Sequence, residues 1–163
     1  MKSLVVPVPK TLWKNPIHFL AYGLGSGASP VAPGTMGTLA AVPFYLVCQE
    51  WPLSYYLALV VFMSLFGIWI CGVAAKDIGV HDHPGIVWDE FTGYFITMIL
   101  APSGFMWILI GFILFRWFDI WKPWPISWLN DHVTGGFGIM IDDILAGIFA
   151  WVVLQGLAWI FVY

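Results

Sequence analysis

Of the nine acidic residues in this 163-residue chain, all but Glu50 lie between Lys76 and Asp143. Twice they stand side by side: Asp89 and Glu90 in "WDEFTG", and Asp142 and Asp143 in "MIDDILAG". Each pair sits where an apolar helix is expected to begin. A single carboxylate there has a structural use, because it caps free N–H groups and meets the positive end of the helix dipole. Capping uses one carboxylate, however, and each of these sites has two. Neighbouring carboxylates repel unless a cation or a proton lies between them, and oxygen-rich clusters of this type suit Mg²⁺.

A third group lies in "FRWFDIWKPWP", where Arg116, Asp119 and Lys122 are set among Trp, Phe and Pro. Arg116 and Asp119 are three apart and share a face if the stretch is helical. Lys122 precedes Pro123 and is pushed out of helical geometry, free to turn away from the helix axis. An Arg–Asp surface pair with snorkelling basic stems is the structural reading. A phosphate clamp beside a metal ligand is the functional one, since Arg offers a bidentate fork and Lys a point charge. The loop "GSGASPVAPGT", running into a helix that Thr35 would cap, presents backbone N–H groups at a positive helix end, a ready anion site. Turn chemistry explains that loop equally well, and it is no Walker A motif because no Gly-Lys-Ser/Thr follows. In "VHDHPG", His81 and His83 flank Asp82; a zinc pair is one reading and a polar loop the more ordinary one.

These groups need elements to bring them together. The chain is 61 % hydrophobic and only 9 % charged, with 11 Trp and 13 Phe. A soluble domain is about 45–50 % apolar and about 25 % charged, so the composition lies on the membrane side and the length allows one domain, 1–163. The net charge of −3 and six Lys plus Arg leave no basic surface for nucleic acid. Cys48 and Cys71 lie in apolar stretches and read as small core or lipid-facing side chains. Residues 1–15 lack the apolar core of a signal peptide and read as a cytoplasmic tail carrying Lys2, Lys10 and Lys14.

The expected fold is all-α: a multi-pass membrane bundle with short or re-entrant helices. Helices are predicted over Met36–Gln49 and Leu53–Ala75, with a turn at Glu50–Pro52. Leu53–Ala75 is long enough to span a bilayer, and Ile144–Val162 is near spanning length. Between them lie two polar segments, Lys76–Glu90 and Arg116–Asp143, separated by the apolar stretch Phe91–Phe115, which "APSG" at Ala101–Gly104 interrupts. Short loops bearing Lys and Arg stay cytoplasmic. Arg116 and Lys122 join Lys76 on that side only if Phe91–Phe115 enters the membrane and returns, as a helical hairpin tipped by "APSG". A single crossing would set the two polar segments on opposite faces, where they could not build one site.

Acid clusters, a basic pair and an anion loop at one membrane face point to metal-assisted phosphoryl chemistry on a lipid. The chain has no Cys-x5-Arg and no Asp-x-Asp, and its single Arg excludes multi-Arg, His-dependent lipid phosphatases. The long Asp-rich motif of CDP-alcohol phosphotransferases is also missing. The rival from another class is a transporter or channel subunit, for which acids inside the helices, facing a pathway, are expected.

"GSGASPVAPGTMGTLAA", "HDHPGIVWDEFTGYFIT", "FRWFDIWKPWPI" and "GGFGIMIDDILAG" closely resemble the phosphatidylglycerophosphatase A family of Gram-negative bacteria, over about Pro16 to Ala150. The resemblance implies a Mg²⁺-dependent, multi-pass inner-membrane phosphatase. Its substrate would be phosphatidylglycerophosphate, its site would face the cytoplasm, and no protein partner is implied. The residues themselves make Asp89, Glu90, Asp119, Asp142 and Asp143 the candidate metal ligands for that reaction, with Arg116 and Lys122 on the phosphate oxygens. Thr35, Gly34 and Ser26 are candidates to complete the anion site. His83 is a further candidate for the substrate, and Asp82 with His83 for proton transfer. The Trp and Phe side chains around Arg116 would seat that segment at headgroup level.

Overall fold

The computed structural model describes residues 8–80 and 83–162. Among them are seven α-helices and no strand: α1 (Pro16–Ala21), α2 (Pro33–Cys48), α3 (Leu53–Ile78), α4 (Trp88–Thr97), α5 (Phe105–Trp121), α6 (Ile126–His132) and α7 (Gly135–Phe161). His81, Asp82 and residues 1–7 lie outside the described residues.

Several predicted boundaries move, each for a local reason. The second helix begins at Pro33 rather than Met36, with its N-cap at Ala32, so Thr35 lies inside the first turn and does not cap it. Proline suits that opening position, because its missing N–H has no partner there anyway. α3 runs three residues past Ala75 to Ile78 and ends at Gly79, whose left-handed backbone lets its N–H reach back to Ala75 and Lys76.

The largest correction concerns the last helix. It starts at Gly135, nine residues before Ile144, so Asp142 and Asp143 do not stand at its N-terminus but two turns inside it. Its N-cap is Thr134. Two glycines of "GGFG" serve close packing. A Cβ on Gly136 would collide with the Ile68 carbonyl of α3, and one on Gly138 with that of Val133.

The predicted hairpin is present. α4 enters the bundle, residues 98–104 turn, and α5 returns, so that the start of α4 and the end of α5 lie together. α5 extends six residues beyond Phe115, which makes Arg116 and Asp119 helical. At 1.5 Å per residue the arms are about 15 and 25 Å long, short of the roughly 30 Å hydrocarbon core. α4 is buried throughout its length from Asp89 to Thr97. It is enclosed by α2, α3, α5 and α7, and its aromatics Phe91, Tyr94 and Phe95 sit in the main core.

α3 and α7 are long and apolar enough to cross a membrane, and only 33 % and 28 % of their most apolar windows are buried. A core helix of a soluble protein would be mostly enclosed. Here large apolar side chains such as Phe62, Leu65, Trp69 and Trp159 are more than half exposed, the surface expected of a protein that meets another apolar phase.

Candidate active site

The site is built where four helices meet at one end of the bundle. α2 contributes Gly34 and Thr35 in its first turn, α4 Asp89 and Glu90 in its own, α5 Arg116 and Asp119 in its last two turns with Lys122 as its C-cap, and α7 Asp142 and Asp143. They line one cavity of about 440 Å³, closed on another side by Pro84 and Ile86. The approach of α4 to α7 depends on paired glycines. A Cβ on Gly147 would lie 2.5 Å from the Gly93 carbonyl, and one on Gly93 2.8 Å from that of Asp143. Thr97 Oγ1 spans the same contact, donating to Gly93 at 2.9 Å and Gly147 at 3.3 Å. These small residues let two acid pairs on different helices face each other.

All five candidate carboxylates are nearly or fully buried, none more than 9 % exposed. Ligand atoms of Asp89, Glu90 and Asp143 lie within 4.8 Å of one another. Glu90 Oε2 and Asp143 Oδ2 are buried with no hydrogen-bond partner. Buried anionic oxygens without partners are costly, and three converging hard oxygens form a donor set suited to a divalent cation such as Mg²⁺. These residues therefore fit a metal.

The other two acids hold the bases. The Arg116 guanidinium contacts Asp119 one turn away and reaches to 3.8 Å from Glu90. Lys122 has φ +44°, and this left-handed turn swings its ammonium onto Asp142 and, at 2.7 Å, onto Asn130 of α6. The expected departure of Lys122 from helical geometry is thus present, though in the left-handed region rather than the extended one. Asn130 was missed because a single Asn in a short polar helix carries no signal without the fold.

Burial pushes the Glu90 carboxyl up to about 8, with Asp143 and Asp119 adding to the effect and the hydrogen bond with Asp89 opposing it. Burial also raises Asp89 well above the ordinary range, and the neighbouring Glu90 charge reinforces it. For Lys122 burial acts downward, but Asp142, with Asp143 and Asp119 adding to it, outweighs it and the ammonium is stabilised.

Gly34 lies directly against the acids and bases of the cavity. A Cβ there would strike Glu90 Oε1 and lie 3.1 Å from the Arg116 guanidinium. Ser26 and His83 are placed differently from the rest. Ser26 donates its hydroxyl to the Gly23 carbonyl at 2.8 Å and does not line the cavity. His83, almost fully buried, holds the Tyr22 hydroxyl at 2.9 Å and the Gly85 N–H at 3.0 Å through Nδ1, which fixes the loop whose Pro84 and Ile86 form the cavity wall.

Fold and site together define a class: an all-α protein, largely apolar outside, with one polar cavity that offers clustered carboxylates and two bases to an anionic ligand. The chain belongs to the phosphatidylglycerophosphatase A family, whose model matches residues 19–158. Phosphatidylglycerophosphatase A of Escherichia coli is 51 % identical over 135 residues, covering 82 % of this chain and 78 % of its own. The protein of the same name from Haemophilus influenzae is 45 % identical over 150 residues, 91 % of this chain and 92 % of its own. A Bacteroides thetaiotaomicron protein provisionally named a phosphatidylinositol-3-phosphatase is 34 % identical over 146 residues, 85 % of this chain and 91 % of its own. No solved structure matches significantly.

Proposed function

We propose that this chain is a lipid phosphatase of phosphatidylglycerol synthesis, hydrolysing the terminal phosphomonoester of phosphatidylglycerophosphate to phosphatidylglycerol and phosphate. It acts with Mg²⁺ as a multi-pass protein of the bacterial inner membrane, its cavity opening to the cytoplasm. Family membership supports the reaction. The observation that carries the mechanism is the convergence of five buried carboxylates with Arg116 and Lys122 in one cavity.

Asp89, Glu90 and Asp143 would hold the metal, with Asp119 and Asp142 beside them. When bound, the ion would lower the pKa of a water and neutralise phosphate charge. The chain's own groups do the rest. Arg116 and Lys122 bind the non-bridging oxygens and stabilise the charge spread over them in a loose transition state. Asp119 and Asp142 keep those bases oriented in advance, so little reorganisation is needed when the phosphate arrives. The absence of a side chain at Gly34 leaves room for the phosphate next to the positive end of α2. The lipid's tails hold the substrate in the bilayer, and the cavity reads the headgroup.

The transporter reading was to be told by acids inside helices, and Asp142 and Asp143 are inside α7. They nevertheless open into the same end cavity as the acids at the helix termini, not into a path through the bundle. Phosphate release from phosphatidylglycerophosphate by purified protein, abolished by EDTA and restored by Mg²⁺, tests the proposal. Full turnover in EDTA after extensive dialysis would refute the metal, and no turnover under any metal would refute the reaction. For topology, single cysteines at Lys76 and Lys122 should both resist an impermeant thiol reagent applied outside intact cells. Labelling of only one would refute the common cytoplasmic face.

A further inference from the structure

Two apolar depressions flank the bundle, and only one is continuous with the acid cavity. The first lies between α2 and α3, which share a short connection yet each pack on α4 rather than on each other. It holds about 380 Å³ over a floor of Trp88, Phe91 and Phe95. Nothing polar lines it, but it shares no residue with the cavity. Val87 closes the way, packed so tightly on Gly23 and Gly37 that neither glycine could carry a methyl group.

The second is a shallower groove of about 510 Å³ along the outer face of α5, lined by Phe112, Ile113, Trp117 and Trp121. Its two remaining lining residues, Arg116 and Ile120, also line the acid cavity. Ile113, Trp117, Ile120 and Trp121 are 51–70 % exposed, and the two indoles stand edge to face one turn apart. Arg116 therefore stands at a border, its guanidinium among carboxylates and its residue lining both the cavity and the open apolar groove.

We propose that this α5 groove seats an acyl chain of the lipid substrate and that lipid enters the cavity sideways across Arg116 and Ile120. The inference rests on the phosphatase reading above and adds the route and the chain-reading residues. Bilayer tails are as apolar as the groove, so seating a chain there contributes little affinity. Its effect is positional: a chain lying along α5 fixes where the headgroup hangs, and misplacing a reacting group by about 1 Å can cost about a hundredfold in rate.

The test compares two probes, dioleoyl phosphatidylglycerophosphate and its deacylated, water-soluble counterpart, as a ratio of kcat/KM. Wild type should favour the acylated probe. Ile113→Ser with Trp117→Ser should shrink that preference about tenfold and leave turnover of the deacylated probe unchanged. Leu59→Trp, which fills the α2–α3 groove, should leave the ratio as it is. A dioleoyl probe with a diazirine midway along one chain should label peptides from 112–121. An unchanged ratio in the double variant, equal losses on both probes, or collapse of the preference in Leu59→Trp would each overturn the proposal. So would labelling confined to 44–63, or an α5 face sealed against label by a second copy of the chain. If wild type hydrolyses neither probe, the phosphatase reading fails, and the labelling pattern alone decides the groove.

Discussion

Asp89 and Glu90 stand in the first turn of a ten-residue helix, where backbone N–H groups are still free, and the Glu90 N–H lies 3.1 Å from Asp89 Oδ1. Asp142 and Asp143 stand seven and eight residues into a 27-residue helix, where the N–H groups are committed to the carbonyls one turn back. The first pair has a helix terminus to moderate its charge; the second has none. Asp142 is in direct contact with Lys122, whereas Asp143 feels that ammonium without a direct ion pair and lies among the carboxylates Asp119, Asp89 and Asp142. An acid so placed is a liability to the empty protein and an asset only with a cation present. The comparison thus separates an acid pair with a structural use from one whose second member has none.

The largest effect expected is therefore at Asp143. Asp143→Asn should lower activity at least about a hundredfold, roughly 2.7 kcal/mol of transition-state stabilisation, while the melting temperature in detergent stays level or rises because a buried charge has gone. Asp89→Asn, Glu90→Gln and Asp119→Asn should lose activity too, with less relief of stability for the α4 pair. Near-normal turnover of Asp143→Asn at limiting Mg²⁺ would break the comparison and confine the metal to Asp89, Glu90 and Asp119.

Acidity sharpens the same contrast. Glu90, raised to about 8 by burial, holds a proton below that pH, and a divalent cation must displace it. Apparent Mg²⁺ affinity should therefore weaken as pH falls, by about fivefold between pH 8 and pH 7 for one displaced proton. Mg²⁺ titrations of activity at the two pH values measure this, and Glu90→Gln should flatten the dependence. Gly34→Ala comes next. Its methyl group must push Glu90 aside and crowd Arg116, so a loss of about tenfold in kcat/KM is expected with the fold intact. Full activity would show that the anion does not sit over the start of α2.

Much of this was legible in the sequence. The "APSG" tip turned a 25-residue apolar stretch into a hairpin, and the hairpin brought Asp89 and Glu90 to Arg116 and Asp119. What failed was the position of helix starts. Pro33 and Gly136 look like loop residues, yet the first suits the opening turn of a helix and the second lets α7 lie against α3. That error hid the difference between the acid pairs, because with Ile144 as the start both looked like caps. Ser26 was drawn in by its glycine-rich company, although its hydroxyl closes a local turn. Asn130 and the Gly93–Gly147 contact leave no trace in spacing, since both depend on which helices become neighbours.

The smallest effect expected concerns how Lys122 is held. Its ammonium has three donors; Asp142 takes one from within the bundle and Asn130 another from the exposed face of α6. A partly exposed hydrogen bond to a charged group contributes on the order of 1 kcal/mol, so Asn130→Ala should cost about fivefold in kcat/KM, chiefly through KM if Lys122 serves mainly to bind phosphate. Asn130→Asp keeps an acceptor at that position and should restore most of the loss. Asp142→Asn should be worse than either, because it takes a buried countercharge from Lys122 and leaves the ammonium to the solvent side. If Asn130→Ala proved as damaging as Asp142→Asn, Lys122 would be governed from the surface. The direct Lys122–Asp142 contact would then count for little, and the distinction between the two members of the α7 pair would fall.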